Sequence, residues 1–201
     1  INTSYAEAHS NLGNALQEQG GFADAVACYR KALAINPKLA DAHANLGAAL
    51  TETGDFDEAF ASHRKAVALA PKNDAFWIGL AACVERLSFE AADEALWEDL
   101  LQLLDHPAID PQSIAPAILN ALRLRPDFGE ILARSPEADY SHAEATLSEN
   151  PLLLRAMALS PFKDLEVEAM LTALRGATID TALADPDNEA GLPFAAAMAH
   201  H

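Results

Sequence analysis

Apolar residues recur along this chain at helical spacing, and polar residues fill the positions between them. Leu12 and Leu16 lie four apart on one helix face, as do Leu46 and Leu50. Valine and isoleucine never gather into alternating runs, so no strand is predicted and the chain reads as all-α. Gly20-Gly21 and Gly54-Asp55 turn the chain between early helices. Beyond Ala91, prolines separate the apolar stretches. There the pattern predicts short helices over about 91–104, 112–124, 127–134, 138–148, 151–159, 164–176 and 189–199. Ser113 is the expected cap before Ile114-Ala115-Pro116, and Asp164 before Leu165.

The early pattern repeats itself. Shifting the chain by 34 residues aligns Ile1-Asn2 with Ile35-Asn36, Asn11-Leu12-Gly13 with Asn45-Leu46-Gly47, and Arg30-Lys31-Ala32 with Arg64-Lys65-Ala66. In this alignment 20 of 37 positions are identical. A fixed period of this length is the mark of a helix-turn-helix solenoid.

These residues resemble the tetratricopeptide repeat (TPR). The large residue of that pattern falls on His9 and His43, and its Leu-Gly pair on Leu12-Gly13 and Leu46-Gly47. Its small residue falls on Ala25 and Ala59, and its closing Ala and Pro on Ala32 with Pro37 and Ala66 with Pro71. Small residues belong where two helices approach closely, and Pro37 ends a helix. Both departures are at aromatic positions: His9 and His43 stand for the usual Trp, and His63 stands where the first repeat has Tyr29.

The resemblance implies about two repeats over residues 1–73, with the tail of an upstream repeat at 1–5. A degenerate third repeat over 74–105 keeps Trp77, Leu80-Ala81, Val84 and Trp97 and begins a cap. An acidic helical connector over 106–201 follows. Because Ile1-Asn2 matches a repeat tail, a further repeat is expected upstream. The N-terminal edge, with Leu12, Leu16 and Val26, is then a candidate surface for self-association.

A second resemblance lies in the later part. Arg86-Leu87-Ser88-Phe89, His106-Pro107-Ala108-Ile109-Asp110-Pro111, the stretch from Asp164 to Arg175 and the ending from Leu192 are similar to bacterial proteins in which repeats and a helical connector precede a methyltransferase domain. That catalytic domain would lie beyond His201.

Charge narrows the partners. The formal net charge is -17, with 6 basic and 8 acidic side chains in residues 1–73 against 7 and 22 in 74–201. The acidity belongs to the second part, and neither part clusters Lys and Arg as a phosphate-binding surface requires, so nucleic acid and anionic membrane are excluded as expected partners. Every apolar stretch is interrupted well short of a membrane span. No basic segment with an apolar run opens the chain, and Cys28 and Cys83 form no CxxC pattern, so the reducing cytoplasm is the expected setting.

Candidate chemistry is sparse. The nine glycines contain no GxG triplet and no strand precedes one, so neither S-adenosylmethionine nor another cofactor is expected. His9, His43 and His63 read as packed rings rather than metal ligands, and no motif marks a nucleophile. The chain is thus expected to be a non-enzymatic module, or alternatively the substrate-presenting arm of a larger methyltransferase or glycosyltransferase.

What remains is the groove. In the family that these repeats resemble, the first helix of each repeat lines a concave surface. The matching positions are Glu7, Ser10, Asn11, Asn14, Gln17 and Glu18, then Asp41, Ala44, Asn45, Ala48, Thr51 and Glu52. Asn11 and Asn45 recur at one position, which resembles the asparagine ladder in the repeats of O-linked N-acetylglucosamine transferases. An amide donates and accepts at once, so such a ladder can hold the backbone of an extended peptide. The alternative is solvated asparagine on an exposed helix. Glu7, Asp41 and Glu52 disfavour an acidic tail, which leaves a neutral-to-basic peptide as the expected partner.

Overall fold

A computed structural model describes residues 3–87, 89, 94–125, 128, 130 and 150–159. Among them the only regular secondary structure is helical, and the chain divides into two compact units, Ile1–Leu87 and Ser88–His201. The first comprises α1 (Thr3–Glu18), α2 (Phe22–Ile35), α3 (Ala40–Thr53), α4 (Phe56–Leu69) and α5 (Asp74–Val84). Helices α1 and α2 form one hairpin and α3 and α4 the next, α2 packs on α3, and α5 packs on α3 and α4. The first helices also touch in series, α1 with α3 and α3 with α5.

Local chemistry sets these boundaries. Gly54 adopts φ 88°, a left-handed conformation open to glycine, and lets the Asp55 N–H return to the Leu50 carbonyl at 3.0 Å. Between the two hairpins α2 stops at Ile35, two residues before Pro37. Ala25 and Ala59 are wholly buried, as the close approach of the paired helices demands. The glycines of the Leu-Gly pairs have the same cause. A Cβ at Gly13 would lie 2.6 Å from the Tyr29 ring, and one at Gly47 would lie 2.6 Å from the His63 ring.

The large residue near the start of α3 and of α5 has a polar task as well as a packing one. His43 Nε2 donates to the Pro37 carbonyl at 3.0 Å, and Trp77 Nε1 donates to the Pro71 carbonyl at 2.8 Å. These are equivalent positions one repeat apart. Histidine therefore substitutes for tryptophan here by keeping the ring N–H and the buried contact.

In the second unit α6 (Glu94–Asp105), α7 (Pro111–Arg123) and α8 (Pro151–Leu159) pack on one another through Leu100, Leu103, Ile114, Ile118, Leu122, Leu152 and Leu153. Ser113 is not the cap of α7. The helix starts at Pro111, whose fixed φ suits a first position, and the Asp110 carboxylate accepts from the Gln112 N–H at 3.0 Å. Ser113 lies in the first turn, its hydroxyl donating to the Asp110 carbonyl. Asn150 caps α8 before Pro151 by the same device. Ile1-Asn2, the Asp164 cap and the helices expected over 127–134, 138–148, 164–176 and 189–199 lie outside the described residues, apart from helical Phe128 and Glu130.

Candidate functional site

The site is built from the exposed face of the first helices. Glu7, Asn11 and Glu18 on α1 and Asp41 and Glu52 on α3 are exposed, whereas Ser10, Asn14, Gln17, Ala44, Asn45, Ala48 and Thr51 are half-buried. The half-burial of Asn14 and Asn45 has a specific origin. Asn45 Nδ2 donates to Asn14 Oδ1 at 2.9 Å, and the Tyr29 hydroxyl lies 2.9 Å from that same oxygen and 2.9 Å from the Gln17 side-chain amide oxygen. The hydroxyl has one proton to give, so one of its two contacts is served by an amide turned to donate.

These four side chains interlock α1, α2 and α3. Tyr29 is wholly buried, and burial, with the nearby Cys28 and Glu18, pushes its phenol up to about 12, so it remains a neutral hydrogen-bonding group. The structure thus brings Asn45 to Asn14 rather than to Asn11, which stays exposed. The sequence carries a signal for this contact in the positions taken together rather than singly. Asn14, Gln17, Tyr29 and Asn45 all change together one repeat later, to Ala48, Thr51, His63 and Gly79.

At that second interface the interlock is gone. The His63 ring lies between the two glycines, and a Cβ at Gly79 would be 2.8 Å from its Cε1. His63 is 4% exposed, and its Nδ1 is buried without a hydrogen-bond partner among the described residues. Burial lowers its pKa to about 4, so the imidazole is neutral at neutral pH. Beside it opens a cavity of about 330 Å³ lined by Ala48, Thr51, Glu52, Gly79 and Cys83 among others. Thr51 Oγ1 donates to the Gly47 carbonyl at 2.9 Å. The Cys83 thiol donates to the Phe56 carbonyl at 3.7 Å, and burial pushes it up to about 11, which makes it a poor nucleophile.

The N-terminal edge differs from the expectation in one residue. Val26 is buried, while Tyr5 and Leu12 are 63% and 50% exposed. Leu46, the equivalent of Leu12, is only 5% exposed because α2 covers α3. Among the described residues no three His, Cys, Asp or Glu side chains gather as metal ligands, and no helix is long and apolar enough to cross a membrane.

Residues 4–72 match the family model of the tetratricopeptide repeat, so the hairpins of the first unit are tetratricopeptide repeats. Such repeats are generally protein-interaction modules. Among solved structures, the crystal structure of a thermophilic TPR protein in Thermus thermophilus is similar at 19% identity and a TM-score of 0.42, over 96% of this chain and 98% of that one. No curated protein matches the chain. Neither the matched family model nor that structure is a methyltransferase or a glycosyltransferase.

Proposed function

We propose that the first unit is a non-enzymatic interaction module that takes an extended, neutral-to-basic peptide across its first helices, working in the cytoplasm without a cofactor. One observation carries this reading: Glu7, Asn11, Glu18, Asp41 and Glu52 all stay exposed on two first helices that touch side by side. Asn11 offers a whole amide to a peptide backbone. Asn14 Nδ2 and Asn45 Oδ1, which the interlock leaves unbonded, extend that row. The acidic side chains select against an acidic peptide by repulsion. Residues 74–105 act as a degenerate third repeat and cap, whose first helix is supported by the packing of α5 on α3 and α4, and residues 106–201 act as an acidic connector.

The test is fluorescence anisotropy with labelled dodecapeptides of lysine-containing, uncharged and glutamate-containing series. The first two series are expected to yield binders and the third none, with lysine peptides losing affinity as salt rises. Charge reversal in the triple variant Glu7→Lys, Asp41→Lys, Glu52→Lys should invert that preference. Indifference to the reversal, or no binder in any series, rejects the reading.

A second reading concerns the edge, and the tenfold difference in exposure between Leu12 and Leu46 favours it. Tyr5 and Leu12 lie seven apart on one face of α1 and form a self-association surface. Sedimentation velocity should show concentration-dependent association that Leu12→Glu abolishes. A chain that stays monomeric at high concentration removes this reading.

A further inference from the structure

Resting on the peptide-binding reading above, we propose that the cavity beside His63 takes one carboxamide side chain, a glutamine or asparagine, of the bound peptide. The protein's own first interface shows what such a space holds. There, three carboxamides, Asn14, Gln17 and Asn45, surround the Tyr29 hydroxyl at hydrogen-bonding distance from it or from one another. One repeat later all of these groups are removed together, and about 330 Å³ opens between α3, α4 and α5. The contact of glycine with ring inside each hairpin is retained, Gly13 with Tyr29 and Gly47 with His63, and Gly79 adds a second contact to His63 from α5.

The polar atoms left in the wall favour the same chemistry. A neutral imidazole has one N–H donor and one acceptor nitrogen, and burial keeps His63 neutral at pH 7. Thr51 has committed its proton to the Gly47 carbonyl and its oxygen is also a hydrogen-bond neighbour of the Cys83 thiol, which leaves that oxygen one further lone pair as an acceptor. A carboxamide supplies two N–H donors and a carbonyl acceptor, which meets both kinds of group without carrying charge into a half-enclosed site. A carboxylate would face Glu52 and Glu85 at the same cavity. An ammonium would only donate, would lose water, and would face Arg86. An aliphatic side chain would fill volume and leave the imidazole unsatisfied.

The test uses the nitrogen-15-labelled chain of 201 residues and capped single residues, N-acetyl-amino-acid methylamides, as probes. The amide signals of Thr51, Gly79 and Ala82 are followed by NMR titration. Capped glutamine or asparagine is expected to give saturable shifts, with capped glutamate and capped leucine at least tenfold weaker. Thr51→Gln returns the residue of the first interface to the second and should weaken the glutamine probe tenfold or more. His63→Tyr, which returns the phenol, should do the same. Circular dichroism and Tm confirm that each variant is folded, and Thr51→Gln, on a partly exposed helix face, keeps the test available should His63→Tyr fail to fold. Equal response to leucine, absence of saturable shifts, or unchanged affinity in folded Thr51→Gln overturns the proposal. Because a capped residue has no extended backbone, binding of the probe without binding of any dodecapeptide removes the peptide reading alone. Dodecapeptide binding without a response to the glutamine probe removes the pocket alone.

Discussion

The interface between the first and second repeats and the interface between the second repeat and α5 share one glycine-to-ring contact, Gly13 with Tyr29 and Gly47 with His63, yet one is filled and the other is open. In the first, Tyr29 reaches through to Asn14 and Gln17, Asn45 joins them through Asn14, and three helices are tied together. In the second, the shorter imidazole of His63 stops beside a cavity, with Nδ1 unpartnered among the described residues. Shape and polarity are therefore separately controlled in this solenoid. Small residues at Gly13, Gly47, Ala25 and Ala59 fix how closely the helices approach, and the polar lining is free to change. A repeat protein supplies its own control in this way, since each interface shows what the other lacks.

The largest effect that sharpens this contrast is truncation of the two rings. Tyr29→Ala removes a wholly buried aromatic and the centre of the interlock, and should cost about 3–5 kcal/mol. His63→Ala removes a smaller ring beside an existing cavity, and with it an unpaired buried nitrogen, so about 1–3 kcal/mol is expected. Native-state hydrogen exchange in α1 to α4 reads both losses within the first unit, independently of the second. Equal losses would mean that the interlock adds nothing to the packing.

Acid should separate the interfaces next. The unfolded chain's histidine binds a proton near pH 6.5, whereas folded His63 does so only near pH 4, so between these values the unfolded state holds more protons. Stability contributed by neutral His63 is thus complete above about pH 6.5 and falls as pH drops towards 4, by about 3 kcal/mol at most, with no further loss below. Burial lowers the His43 pKa too, which adds in the same direction. Tyr29 stays neutral throughout this range. Urea unfolding at pH 7 and pH 4.5 should show a smaller acid loss in His63→Tyr, which keeps His43, than in the parent chain. Identical acid losses in the two would place the sensitivity elsewhere.

Much of this architecture is legible in the sequence because its causes are local or periodic. The 34-residue identity places both hairpins, the glycine turns and the close-packed alanines, and Trp77 with Pro71 places α5 in register with His43 and Pro37. Ser113 misleads as the start of α7 because serine is a good cap in isolation, while Asp110 followed by Pro111 is a better one at that point. The pairing of Asn14 with Asn45 is not legible from either residue alone. It depends on which side chain of α1 meets α3, a matter of helix rotation that the repeat period does not specify. Only the joint change of four positions between the two interfaces points to it.

The smallest predicted effect turns on that pairing. Asn45→Ala breaks the bond to Asn14 and should cost about 0.5–1.5 kcal/mol of stability. Asn11→Ala changes an exposed side chain and should stay within about 0.5 kcal/mol of the parent. For peptide affinity the order reverses. Asn11 has its whole amide free to meet a backbone, so its loss should weaken a bound dodecapeptide by about two- to tenfold, more than the loss of Asn45, whose donor is held by Asn14. The double change should weaken binding by about five- to a hundredfold. A double-mutant cycle of Asn14→Ala and Asn45→Ala, read first by stability and then by anisotropy, separates the two roles: the pair should couple in stability and add independently in binding. Coupling in binding alone would make the pair a ligand contact first and a strut second, and would erase the distinction between a closed first interface and an open second one.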